Sequence, residues 1–217
     1  MKGRRFESKK RYMISFLIGT AIFVLVFAIT YSISYFEFGR VSNLQSDLAY
    51  DIFEDKLDYS LFEEQVCVAE SLDRISRDLG FQGRIIDDLE RKLGKQNEGV
   101  LSRKKFYTLM ELEHFEFVKL LNERCNGNVQ TIFFFYSNND SELDRSGEVG
   151  RLLTVVHGRI EGTLMIYSFD IDLDSDLIRK LKTKYDIEGS PTLIINNEVK
   201  VKNPQNILDI EKHFSIT

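Results

Sequence analysis

Three kinds of hydrophobic spacing follow one another along the chain. Residues 12 to 36, YMISFLIGTAIFVLVFAITYSISYF, are rich in Ile, Phe, Leu and Val and carry no charge. As a helix the stretch covers roughly 37 Å, enough to cross a hydrocarbon core. Residues 40 to 126 contain no proline, and their apolar positions recur near every 3.6 residues, which predicts helices. From Gln130 onward, continuous apolar runs of strand length alternate with amphipathic stretches, which predicts an α/β order.

A soluble helix as long as the first segment would show a polar stripe, and this one has only small hydroxyls and tyrosines. Tyr12, Tyr31 and Tyr35 sit near its ends, where amphipathic rings prefer the headgroup zone. Lys2, Arg4, Arg5, Lys9, Lys10 and Arg11 precede it. The positive-inside rule then predicts a single-pass signal anchor in the cell membrane, with residues 1–11 a cytoplasmic tail and the remainder extracytoplasmic. A cleaved signal peptide is the competing reading, with Ser32 to Ser34 as its cleavage site, but the apolar run is too long for one. The net charge of −5 divides into +5 over residues 1 to 12 and −10 over the rest. An acidic remainder argues against a nucleic-acid surface, because phosphate contacts need clustered Lys and Arg.

Within 40–126, Leu44, Leu48 and Ile52 begin one apolar run. Ser60 and Glu63 form a capping box ahead of the face Leu61, Phe62, Val66, Ala69, Leu72, Ile75 and Leu79, and Gly80 is the expected stop. Phe81, Ile85, Ile86, Leu89 and Leu93 repeat the pattern up to Gly94, and a longer helix carries Phe106, Leu109, Met110, Phe117, Leu120 and Leu121. Residues 41 to 58 leave room for homo-oligomerisation, although no sustained heptads are present.

The two cysteines, Cys67 and Cys125, fall on this helical segment. Outside the cytoplasm they are expected to pair, closing a loop that stabilises the fold by about 4 kcal/mol on the chain-entropy model. Two separate buried thiols are the alternative. Their spacing is not the CxxC in which a helix N-terminus activates a thiolate.

In the last ninety residues QTIFFFY and TLMIYSFD read as strands, and TLIINNEVKVK as two strands turning at Asn196 and Asn197, which tolerate positive φ. Val149, Leu152, Leu153 and Val156 mark one intervening helix; Leu177, Leu181 and Tyr185 mark another. Asn203 and Pro204 suit the start of a final helix with Ile207, Ile210 and Phe214. The order is βαβαββα, and its crossovers imply a partly parallel sheet.

That order, with YSFDIDLDSDLIRKLKTKYDIEGSPTLIINNEV, resembles the thioredoxin-like family over residues 128–217. Asp170 and Asp172 end a strand, Tyr185 and Ile187 end a helix, and Pro191-Thr192-Leu193 opens the next strand. The resemblance implies a cis Ser190–Pro191 bond facing the family's active site. It also implies a surface at Ser190, Pro191 and Thr192 where an extended peptide can pair with backbone.

The departure lies after the first strand. Where redox-active members carry CxxC, this chain has SNNDSELDRSGEVG, and Ser141 and Asp144 fall at the two sulfur positions. Dithiol exchange needs an attacking thiolate and a resolving sulfur, so no enzyme activity is expected. Ser141 and Asp144 also fit a helix-capping signature, and Asn139-Asp140-Ser141 is an N-x-S sequon. The expected function is therefore a redox-inactive, membrane-anchored module that binds an extracytoplasmic protein through Asn138, Asn139, Asp140, Ser141, Asp144 and the Ser190–Thr192 turn. A thiol-disulfide oxidoreductase or isomerase using Cys67 and Cys125, or a partner's cysteines, is the alternative. In a third reading the helical segment is an assembly element and the C-terminal domain a passive cap.

His114, His157 and His213 lack partners at metal spacing, so solvated or packed rings are expected and no metal. Gly147 and Gly150 give only GxxG, and no nucleotide-loop or calcium-loop pattern occurs, so no cofactor is expected. The acids Asp87, Asp88 and Glu90 read as a solvated helix face.

Overall fold

The computed structural model describes residues 9–32, 35, 49–50, 53, 69–160 and 163–214. Cys67, the Ser60–Glu63 box, residues 1–8 of the basic tail and most of 41–58 lie outside the described residues. Two units are resolved by packing, residues 1–44 and 45–217. The first contains α1, Lys9–Ser32, one helix long and apolar enough to cross a membrane, with a mean hydropathy of 2.5. Thr30 and Ser32 donate their hydroxyls to the carbonyls of Val26 and Ala28, so these two polar groups of the apolar helix are satisfied within it.

The second unit is a mixed α/β domain built in the order α2 (Ala69–Leu93), α3 (Glu98–Cys125), β1 (Gln130–Tyr136), α4 (Asp140–His157), β2 (Leu164–Asp170), α5 (Asp176–Lys184), β3 (Thr192–Ile195), β4 (Val199–Lys202) and α6 (Leu208–Glu211). The four strands lie in the order β2-β1-β3-β4. Strands β1 and β2 are parallel, pairing Gln130 with Leu164 through Tyr136 with Asp170, whereas β3 runs antiparallel to β1 and to β4. Alternation along β1 fills both faces of the sheet. Phe133 and Phe135, with Tyr167, Phe169 and Ile194, share a core with α2, α3 and α5. Ile132 and Phe134, with Leu193 and Ile195, pack with α4 and α6.

Helices α2 and α3 therefore share the core of the sheet. The ring of Phe115 on α3 lies 4.6 Å from that of Phe133, edge to face. Helix α3 begins where Asn97 accepts hydrogen bonds from the amides of Gly99 and Val100, and it ends at Asn126 in the left-handed region. The side chain of Asn122 then bonds both the N–H and the C=O of Val129, turning the chain into β1.

Several sequence expectations change. Gly80 does not stop a helix: α2 runs through it to Leu93 and stops at Gly94, where φ is +90. A glycine inside a helix costs about 1 kcal/mol, and the buried row Leu72, Ile75, Leu79, Ile86 and Leu89 outweighs that. At Gly83 the missing side chain is needed, because a Cβ would sit 2.8 Å from the Tyr107 hydroxyl on α3. Leu109, expected inward, is exposed, while Lys104 and Glu111 are buried. The hairpin turns at Asn196 and Asn197, both at positive φ. The final helix does not start at Pro204. It begins at Leu208, where Asn206 Oδ1 accepts from the amides of Leu208 and Asp209.

Candidate functional site

The carboxyl ends of parallel β1 and β2 deliver Tyr136 to Asn138 and Asp170 to Asp172 to one rim of the sheet, the usual place for a ligand in an α/β fold. Asp172 organises the loop entering α4. Its Oδ2 accepts from the Ser137 hydroxyl at 2.7 Å and the Asn138 amide at 3.0 Å, and its Oδ1 from Asn139 Nδ2 at 2.9 Å. Asn138 bridges two charges, donating Nδ2–H to Asp170 Oδ2 at 2.7 Å and accepting from Lys95 Nζ at 2.7 Å.

These bonds correct the capping expectation. The cap position of α4 is Asn139, two residues ahead of where the Ser141–Asp144 pair would act; its side chain makes no capping bond, and its Nδ2 donates to Asp172. The Asn139 carbonyl receives the amides of Glu142 and Leu143 at 2.9 Å. Ser141 and Asp144 are exposed, and α4 opens at Asp140. The Ser190–Pro191 peptide is cis. Ser190 donates its hydroxyl to Glu142 Oε2, which ties this turn to the first turn of α4. The Pro191 carbonyl accepts from Asn203 N, and the Thr192 hydroxyl donates to the Gly189 carbonyl. Among the described residues the Ser190 N–H and C=O form no hydrogen bond. The two predicted halves of the surface, 138–144 and 190–192, thus meet.

Sequence reasoning missed the ionic centre behind this rim. Lys104, 5% exposed, pairs with Asp170, 4% exposed, and with Glu90 Oε1 at 2.7 Å. Glu90 is therefore not on a solvated face, unlike Asp87 and Asp88, which pair with Arg91 and Lys92 at the surface. Burial works against the Lys104 ammonium, but the Tyr136 phenol, Asp170 and Glu90 outweigh it and hold it charged. Glu111, 2% exposed, accepts the Ser168 N–H of edge strand β2 at 2.8 Å, and burial pushes its pKa up. The sequence signal was the row Val100, Lys104, Thr108 and Glu111, charges at helical spacing within a core-facing stripe.

His114 is a packed ring, 1% exposed. The Ser76 hydroxyl is already spent on the Leu72 carbonyl, so it accepts from His114 Nε2–H at 3.1 Å; Nδ1 then accepts from the Tyr167 hydroxyl at 2.9 Å. Burial lowers its pKa to about 4. Unfolded, the ring takes a proton near pH 6.5, so the unfolded state binds more protons between pH 6.5 and 4. The stability tied to neutral His114 is complete above pH 6.5 and falls by about 3 kcal/mol on acidification to pH 4. Urea unfolding of the full chain at pH 7 and pH 5 should show a larger loss for the native sequence than for His114→Gln. Equal losses would reject the assignment.

Among the described residues no cluster of three or more His, Cys, Asp or Glu could hold a metal ion. No protein-family model matches this chain, and no curated protein matches its sequence, so the residues themselves carry the functional reading.

Proposed function

We propose that the chain is a membrane-anchored, redox-inactive thioredoxin-like protein whose extracytoplasmic domain binds an extended segment of another polypeptide. The single observation that carries this is Ser190. Its N–H and C=O are unspent at the head of β3, half-buried, and beside the α4 loop. An extended chain laid there can exchange both bonds with Ser190, a pairing that needs no sulfur. The strand order β2-β1-β3-β4, with β1 and β2 parallel and β3 antiparallel to both its neighbours, supports the thioredoxin-like reading. The other edges are poor competitors. On β2 the Ser168 amide is taken by Glu111, and β4 carries Lys200 and Lys202, charges that discourage strand pairing.

Helix α1 anchors the protein and the basic tail keeps the N-terminus inside. Protease added outside intact cells should therefore degrade residues 69–217, and protection of that domain would reverse the orientation. Cys67 and Cys125 form a disulfide that fixes the end of α3 in the oxidising compartment. Thiol labelling of the unreduced, unfolded chain should find no free thiol, and two after reduction. Two thiols before reduction would remove the disulfide from the account.

The test of binding is a photocrosslinking residue at Ser141 in the full chain, with one at Lys200 on β4 as control. With permanently unfolded carboxymethylated lactalbumin as the probe, position 141 should crosslink and position 200 should not. Equal yields, or none at 141, would overturn the proposal.

A further inference from the structure

Behind the Lys104 centre lies a cleft of about 410 Å³, between α2 and α3 on one side and β1, β2 and α4 on the other. Its size is at the small end for ligand pockets. Its charges cancel. Asp87 pairs with Arg91 at 2.9 Å, Lys104 is held between Asp170 and Glu90, and Lys95 at the mouth donates to Asn138 Oδ1 at 2.7 Å. The buried cation of the cleft, Lys104, is thus already engaged by two carboxylates and is not left over for a phosphate or carboxylate.

What the cleft leaves unmatched is a small set of oxygen atoms. Glu111 lines it with Oε2 fully buried and without a hydrogen-bond partner, although Oε1 is used by Ser168 N–H. A buried polar atom without a partner costs about 1–3 kcal/mol, which a ligand hydroxyl would relieve. The hydroxyls of Thr108 and Ser168 also stand on the wall and bond to nothing among the described residues. Between them are the apolar surfaces of Ile86, Phe134, Tyr136 and Ile166. Paired hydroxyl-type groups beside aromatic and aliphatic wall match a molecule with alternating hydroxyls and C–H faces.

We infer that this cleft binds a small, uncharged polyhydroxylated molecule of monosaccharide size, whose hydroxyls bond Glu111, Thr108 and Ser168 while its carbon skeleton lies against Tyr136 and Phe134. The site is separate from the Ser190 turn and does not depend on peptide binding there. Because Thr108 and Ser168 use their hydroxyls for nothing else, Thr108→Val and Ser168→Ala remove ligand bonds without breaking internal ones. Gly147 on α4 also lines the cleft, and a Cβ there meets nothing nearer than the Arg151 guanidinium at 3.7 Å, so Gly147→Leu should be accommodated by the helix and obstruct the cavity.

The experiment titrates the full chain, in phosphatidylcholine nanodiscs free of sugar headgroups, with glucose, N-acetylglucosamine and myo-inositol, reading the Ser168 amide by NMR. At least one should give a saturable shift, weakened about three- to tenfold by Thr108→Val and by Ser168→Ala, as expected for one lost hydrogen bond each, and abolished by Gly147→Leu. Phosphate and benzoate should give none. The inference falls if no polyol saturates, if all three substitutions leave the affinity unchanged, or if phosphate or benzoate binds more tightly than the polyols.

Discussion

Lys104→Met should destabilise the domain by about 3–5 kcal/mol, because it leaves Asp170 and Glu90 facing each other at a buried position with no cation between them. Methionine fills the volume of the lysine stem, so the loss is electrostatic and not a cavity effect. Adding Asp170→Asn to Lys104→Met should recover most of the loss, since an amide still meets Asn138 without carrying charge. Urea unfolding of the three full-length proteins at pH 7 measures both effects. A Lys104→Met chain as stable as the native one would mean that the ionic centre is wet.

Phe133→Ala should cost a similar amount, about 3–5 kcal/mol, and by a different mechanism. The Phe133 ring meets Phe115 of α3 at 4.6 Å, Phe169 of β2 at 5.1 Å, Tyr185 after α5 at 5.6 Å and Tyr167 at 5.7 Å, mostly edge to face. Its removal opens a void where two helices meet the sheet, and each ring pair also loses the electrostatic preference of edge-to-face packing. Thermal unfolding should shift down as one transition, with helical and aromatic signals moving together. Early loss of the aromatic signal alone would show that α2 and α3 are a separate cooperative unit, against the shared core.

The strands and their order were legible because β1 is buried on both faces and reads as an unbroken apolar run, and because Asn196-Asn197 marks the only tight hairpin among the described strands. What the pattern misled on were places where tertiary partners override local preference. Gly80 reads as a stop, yet the buried row on α2 continues through it. Ser141 and Asp144 fit a cap, but a carboxylate about thirty residues away, Asp172, fixes the loop two to three residues earlier through Asn138 and Asn139. The candidate site was half visible. Residues 138–144 and 190–192 could be named from their resemblance to a known arrangement, whereas Lys104, Glu90 and Glu111 are charges on helices, and only the helical spacing of Lys104 and Glu111 with Val100 hints at burial. Only their convergence on β2, nearly sixty residues further along the chain for Glu111 and Ser168, makes them interior.

The most direct measurement is the amide exchange rate of Ser190 in the full chain, free and with carboxymethylated lactalbumin bound. Exchange should be rapid in the free protein and at least tenfold slower in the complex, as the Ser190 N–H acquires a strand partner. Bound polypeptide with an unchanged Ser190 rate would contradict the account, as would an amide already protected before binding.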